Sequence, residues 1–162
     1  METAYLAGGC FWCVEAIFQR VNGIIGLKSG YCNGSTQNPS YESICSGQTG
    51  HAEVVKIDFD ESVVSFEELL DVFIATHDPT SLNQQGADKG TQYRSAIFYV
   101  NDSQKQIATR VIEGIKGAVT EITELDVFYP AEDYHQNYFN DNSNQPYCRL
   151  VILPKIQKHF RD

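Results

Sequence analysis

Between Tyr5 and Val21 the chain changes its hydrophobic period across two residues, and that switch limits what it can fold into. Tyr5-Leu6-Ala7 is an apolar run of the kind that ends a strand. After Gly8-Gly9, residues Phe11, Val14, Ile17, Phe18 and Val21 recur at helical spacing. A strand that hands over to a helix this abruptly puts Cys10 at or beside the helix N-terminus. Unpaired backbone N–H groups and the positive end of the helix dipole favour an anion there. The Cys10 thiol is therefore expected to ionise more readily than a free cysteine, and the thiolate is the nucleophile. The two glycines are expected to leave room for a substrate at the sulfur. Phe11 and Trp12, in the first turn, are expected to supply apolar walls, with one ring toward the core and one at the pocket mouth.

The pair Cys10 and Cys13 admits other chemistry on spacing alone. It is compatible with a redox Cys-x-x-Cys of the thioredoxin kind, and with two buried thiols that pack as small hydrophobes. It is also half of a structural zinc site, but zinc needs four ligands in paired short spacings. Cys32, Cys45 and Cys148 are isolated in the sequence, so no metal is expected. Five cysteines without a framework of pairs fit a reducing compartment and catalytic thiols better than a secreted disulfide scaffold. The first residues carry no Lys or Arg before Arg20 and do not read as a signal peptide, and no apolar run approaches a membrane span. The expectation is a cytoplasmic, soluble monomer. A net charge of -9 argues against a nucleic-acid surface.

Further along, Ile24–Tyr31 reads as a glycine-interrupted strand, 32–40 as a loop, and Tyr41–Ser46 as a helical turn. Val54–Phe59 reads as a strand. Ser65 with Glu68 forms a capping box before the apolar stripe Phe66, Leu69, Leu70, Phe73 and Ile74, and His77-Asp78-Pro79 ends that helix. The stretch from Thr80 to Tyr93 is almost free of apolar side chains, and a polar connection of that length suggests function. Ser95–Val100 is a strand, Asp102 or Ser103 opens a helix, Val119–Tyr129 holds another strand, and Glu132–Phe139 a short aromatic helix. This order predicts an α+β fold, a two-layer sandwich with helices on a ferredoxin-like mixed sheet. A single catalytic domain over 1–162 is expected, with 140–162 an irregular C-terminal segment carrying a second redox cysteine.

Four stretches carry a resemblance. They are Gly9-Cys10-Phe11-Trp12, the run from Tyr41 to Glu53, the run from Gly86 to Ser95, and Ala131-Glu132-Asp133-Tyr134-His135-Gln136. In the same order and across nearly the whole chain, they are similar to the motifs of the A-type peptide-methionine sulfoxide reductases. The resemblance implies that Cys10 attacks the sulfoxide sulfur of a methionine S-sulfoxide, free or in oxidised proteins. It implies that Glu53 is the acid, that Tyr41 and Tyr93 hydrogen-bond the sulfoxide oxygen, and that Asp88 is a supporting loop carboxylate. Phe11 and Trp12 would receive the S-methyl group. The product would be a Cys10 sulfenic acid, converted to a disulfide by a resolving cysteine, Cys148 first and Cys13 second, and recycled by thioredoxin without any cofactor. The chemistry independently asks for such an acid, because the departing oxygen needs a proton and burial can hold a carboxyl near neutrality. His51 and His135 are expected to support the site residues from behind or to pack rather than to act as bases, Cys45 to pack, and Cys32 to stand outside the family pattern.

Overall fold

The computed structural model describes residues 1–160; positions 161–162 of the expected C-terminal segment lie outside the described residues. In chain order the elements are β1 (Glu2–Ala7), α1 (Phe11–Phe18), β2 (Ile24–Cys32), α2 (Tyr41–Cys45), β3 (Ala52–Phe59), α3 (Phe66–Thr76), β4 (Gln84–Gln85), β5 (Asp88–Lys89), β6 (Ala96–Tyr99), α4 (Asp102–Glu113), β7 (Glu121–Glu124), β8 (Tyr129–Pro130), α5 (Tyr138–Asp141) and α6 (Leu153–His159). Six strands form one mixed sheet in the order β7-β6-β1-β3-β2-β8, and only β6 and β7 run parallel. The central four, β6-β1-β3-β2, with α1 and α3 as connections, make the expected ferredoxin-like α+β arrangement.

Alternation along the strands decides which face carries chemistry. Leu6 of β1, Val55, Ile57 and Phe59 of β3, and Ile97 of β6 share one buried cluster with Phe11, Ile17 and Phe18 of α1 and Leu69, Leu70 and Phe73 of α3. The odd positions of β3 thus face the helices, and Glu53 belongs to that set. Ala52 and Val54, at even positions, join a smaller cluster on the opposite face with Ala7, Cys32 and Phe98. The larger core is aliphatic and aromatic apart from Cys10, Cys13 and Cys148. The chain's single methionine, Met1, is 77% exposed.

Local signals hold at α3, where Ser65 and Glu68 exchange backbone hydrogen bonds in a capping box. At α4 the cap is Asn101, whose side chain accepts from the Gln104 N–H, rather than Asp102 or Ser103. The polar stretch after Pro79 is a small hairpin of β4 and β5 followed by a 3-10 turn at Thr91–Tyr93. The expected 132–139 helix is divided into a 3-10 turn at Asp133–His135 and α5, because Asn137 adopts a left-handed conformation (φ 57°).

The largest departure is the C-terminal segment, which is ordered helix rather than irregular chain. Helix begins at Pro146, passes through a π turn at Cys148–Ile152, and continues as α6, which packs on α1 and α3. The run Leu150-Val151-Ile152-Leu153 hides the period that matters. Cys148, Ile152 and Ile156, each four residues apart, are buried, while Leu150 is 76% exposed. No helix among the described residues is long and apolar enough to cross a membrane.

Candidate active site

Cys10 caps α1 with extended backbone (φ -64°, ψ 130°), and its carbonyl accepts from the Cys13 N–H at 3.0 Å. The placement at a helix start follows expectation; the ionisation does not. Burial raises the thiol pKa well above its ordinary value, and the nearby Glu53 and Cys13 raise it further, against a smaller lowering by the Trp12 N–H. With 9% of the residue exposed, desolvation outweighs the helix terminus, so the resting group is the thiol. The glycines also do a different job from the expected one. A side chain on Gly8 would meet Phe73 and His77 at 2.9–3.0 Å. Gly9, at φ +87°, would meet Gln85 at 2.9 Å. They let α3 and the hairpin close on the cysteine turn, and are not substrate space.

Glu53 lies directly under that turn. It is 1% exposed, and its Oε1 accepts the Phe11 N–H at 3.1 Å, one of the orphan donors of α1. Burial lifts its pKa to about 8, against the lowering by the Phe11 N–H and with a further push from Asp88. Near neutral pH it is a carboxylic acid beside a thiol.

Tyr93 follows the hairpin, and its phenol pKa is raised by burial first and then by the charges of Glu53, Cys10 and Asp88, its neighbours. Tyr41 opens α2 and is raised by burial, by a hydrogen bond with Cys45, and by Glu53 and Tyr93. Cys45 is exposed and meets this hydroxyl, so it does not pack in the core as expected. Glu132 fixes Tyr41 from below, with Oε2 accepting the Tyr41 N–H at 2.9 Å and Oε1 accepting the Tyr31 hydroxyl at 3.0 Å.

Phe11 is fully buried and Trp12 partly so. His135 sits among these rings, with centroids 5.2 Å from Phe11, 5.6 Å from Trp12 and 4.4 Å from Tyr41. Its Nδ1 accepts the Trp12 indole N–H at 3.0 Å, and Tyr138 stacks on the same indole at 3.7 Å. His135 therefore orients Trp12, and its Nε2 is buried without a partner. A doubly protonated ring has no lone pair for the indole. Burial lowers the His135 pKa below its ordinary 6.5. Because Trp12 is the chain's single tryptophan, its emission is expected to report His135 as a change below pH 6.5, separate from any change near pH 8 that follows the Glu53 carboxyl. In His135→Phe that acid-side change disappears. A transition centred above pH 6.5 that is lost in His135→Phe would contradict this assignment. His51, in contrast, is remote from these rings and binds the Thr36 carbonyl oxygen at 2.7 Å. Cys32 is fully buried in the small cluster on the other sheet face.

A cleft of about 840 Å³ opens on Cys10 and Cys13 from the side of α6, bordered by His77, Asp88, Tyr147 and Lys155. Cys148 is not on it; the residue is fully buried on the helix behind. Cys13 thus shares the cleft with Cys10, whereas Cys148 does not line it and lies in the buried cluster that also holds both of these cysteines. Sequence reasoning missed Tyr147 and Tyr138 as parts of the site, and left His135 between a supporting and a packing role, of which the structure shows the first. Their ring-to-ring contacts arise from the tertiary packing of the C-terminal third on α1, and only the dense aromatic content of 129–147 hinted at them. Among the described residues no group of three or more His, Cys, Asp and Glu side chains gathers as for a metal.

The pattern of peptide methionine sulfoxide reductases matches residues 2–162. The chain belongs to that family. It is 63% identical over 161 residues to the peptide methionine sulfoxide reductase MsrA of Vesicomyosocius okutanii, covering 99% of each chain. The fold is similar to that of Mxr1 from Saccharomyces cerevisiae in reduced form, with a TM-score of 0.83, 36% identity, and coverage of 91% and 88% of the two chains. It is equally similar to methionine sulfoxide reductase A of Corynebacterium diphtheriae, with a TM-score of 0.83, 36% identity, and coverage of 88% and 75%. Mxr1 is also known in complex with Trx2; that form matches with a TM-score of 0.58 and 24% identity over 85% and 84% of the chains.

Proposed function

We propose that this member of the peptide methionine sulfoxide reductases reduces the S-epimer of methionine sulfoxide, free or in oxidised proteins, with Cys10 as nucleophile and Glu53 as acid. The observation that carries the reading is the buried Glu53 carboxyl at the start of the helix capped by Cys10, with a pKa of about 8. The Cys10 sulfur attacks the sulfoxide sulfur while Glu53 gives its proton to the sulfoxide oxygen. The oxygen passes to Cys10 as a hydroxyl, methionine leaves, and the proton shed by Cys10 replaces the one given by Glu53. Tyr41 and Tyr93, both beside Glu53, hold the oxygen as its charge changes. Asp88 supports the pocket from the hairpin. Phe11 and Trp12 form the wall for the methyl group.

A second thiol then attacks the Cys10 sulfenic acid; a disulfide forms and hydroxide leaves as water with the proton of Glu53. Cys13 shares the cleft with Cys10, which supports a first disulfide between these two within one turn. Cys148 takes over by thiol–disulfide exchange once its helix opens, and the dithiol of thioredoxin reduces the result. The thioredoxin step is supported by the partner of yeast Mxr1.

The test uses the purified chain, each sulfoxide epimer separately, and dithiothreitol. Consumption of the S-epimer alone, lost in Cys10→Ser, is expected. No consumption of either epimer by a folded protein would sink the reading.

A further inference from the structure

The hydroxyl of Tyr147 stands between two groups of the cleft. It donates to Asp88 Oδ2 at 2.6 Å and lies 3.6 Å from Cys13 Sγ. Because its one proton is engaged with Asp88, the contact with Cys13 has the thiol as donor and the phenol oxygen as acceptor. The chain from Sγ to carboxylate is therefore continuous and points one way. The ring is also pinned, edge-on to Trp12 at 5.8 Å, so the hydroxyl is held in register with both partners.

Cys13 needs such a path. It is 3% exposed, and burial raises its thiol pKa, which Lys155 and the Tyr147 hydrogen bond partly offset. The other titratable groups around it are Asp88, Glu53, Cys10 and His77, the last lining the same cleft. Bulk base has poor access to a sulfur so covered, and Glu53 is committed to the departing oxygen.

We propose that Cys13, Tyr147 and Asp88 form a proton path that removes the Cys13 thiol proton as its sulfur attacks the Cys10 sulfenic acid. The inference rests on the reductase reading above and adds the base for its second step. The Cys13 proton moves to the Tyr147 oxygen while the Tyr147 proton moves to Asp88, so no free phenolate forms. The new Tyr147 hydroxyl then donates to the developing Cys13 thiolate. The Cys13–Cys10 sulfur bond forms, the S–O bond of the sulfenic acid breaks, and the hydroxide takes the proton of Glu53 and leaves as water. In this step the Cys13 sulfur rises from the thiol to the disulfide level and the Cys10 sulfur falls from the sulfenic to the disulfide level; over both steps the two thiols supply the two electrons that reduce the sulfoxide. Lys155 supports the thiolate through space.

The deciding experiment is a reductant-free single turnover with methionine S-sulfoxide. It follows methionine release and, separately, the lifetime of the sulfenic acid trapped with a 1,3-diketone and read by mass. Tyr147→Phe keeps the ring and deletes the relay oxygen. It is expected still to release one methionine per enzyme, which also reports an intact fold. Its sulfenic acid is expected to persist on the order of 100-fold longer, the usual size of a lost general base. Its decay should also quicken about tenfold per pH unit between pH 6 and 8, because the thiol then depends on hydroxide. In Cys13→Ser the sulfenic acid should persist regardless of pH over that range. Normal methionine release with unchanged sulfenic decay in Tyr147→Phe overturns the proton path alone. Unchanged decay in Cys13→Ser overturns it as well, by assigning the attack to another thiol. Absence of any methionine release from the unmodified chain overturns the reductase reading and the path with it.

Discussion

Glu53→Gln is expected to slow methionine release by roughly 10²–10⁴-fold, the range for a lost general acid, and to erase the alkaline limb of the pH profile. The unmodified chain is active with Glu53 protonated. Its carboxyl titrates at about pH 8, so the single-turnover rate should fall as pH rises through that value. Glutamine has no proton to lose there. It retains an oxygen for the Phe11 N–H, so the first turn of α1 keeps its partner. The same variant carries a stability signature. Because the folded carboxyl pKa is raised, its contribution to stability is complete below the unfolded value of 4.5 and is lost as pH rises through about 8. The melting temperature of Glu53→Gln should therefore gain on that of the unmodified chain between pH 6 and 9. A single-turnover profile measured over pH 6–10 checks the first claim. A falling alkaline limb retained in the variant would hand the proton to another group.

Cys148→Ser is expected to separate the two reductants. In the proposed cycle the Cys10–Cys13 disulfide lies at the floor of the cleft, on residues 9% and 3% exposed. A small dithiol can enter a space of about 840 Å³. A protein dithiol must bring its own surface to the sulfur, so it needs the bond moved outward. The variant should still release about one methionine per enzyme, as covalent catalysis in two half-reactions demands. With dithiothreitol its turnover should stay within a few-fold of the unmodified chain, while thioredoxin-driven turnover should fall at least about tenfold. Full thioredoxin turnover in Cys148→Ser would show that Cys13 alone resolves and that the C-terminal helix need not open.

The parts of this molecule legible in the sequence are those set by neighbours along the chain. The Ser65–Glu68 cap and the stripe of α3 are local, and both appear in place. The switch of period at Gly8-Gly9 located the start of α1 because a strand and a helix differ in repeat over a few residues. Glu53 came from the resemblance rather than from any local pattern, and the structure places it on the helix face of β3, which begins two residues earlier than its apolar run suggests. What the sequence hid is set by burial and by distant contacts. The helix terminus argued for a ready thiolate at Cys10, but the depth of the sulfur, a property of the whole fold, reverses the sign. Gly8 and Gly9 looked like space for a ligand because Phe73, His77 and Gln85, which fill it, come from residues 73–85. The C-terminal helix was masked by an apolar run whose exposed members, Leu150 among them, blurred the period of Cys148, Ile152 and Ile156.

The aliphatic and aromatic make-up of the core matters for an enzyme that works under oxidising stress. Methionine is the usual flexible filler of protein interiors, and its oxidation turns an apolar side chain into a polar one that disrupts packing. Here the phenylalanines, leucines and isoleucines of α1, α3 and the sheet do the filling. The one thioether in the chain lies at an exposed terminus. An oxidant that damages methionine in other proteins finds no such group inside this one, so a burst of oxidation can raise the load of substrate while leaving no thioether of the catalyst's own interior to oxidise.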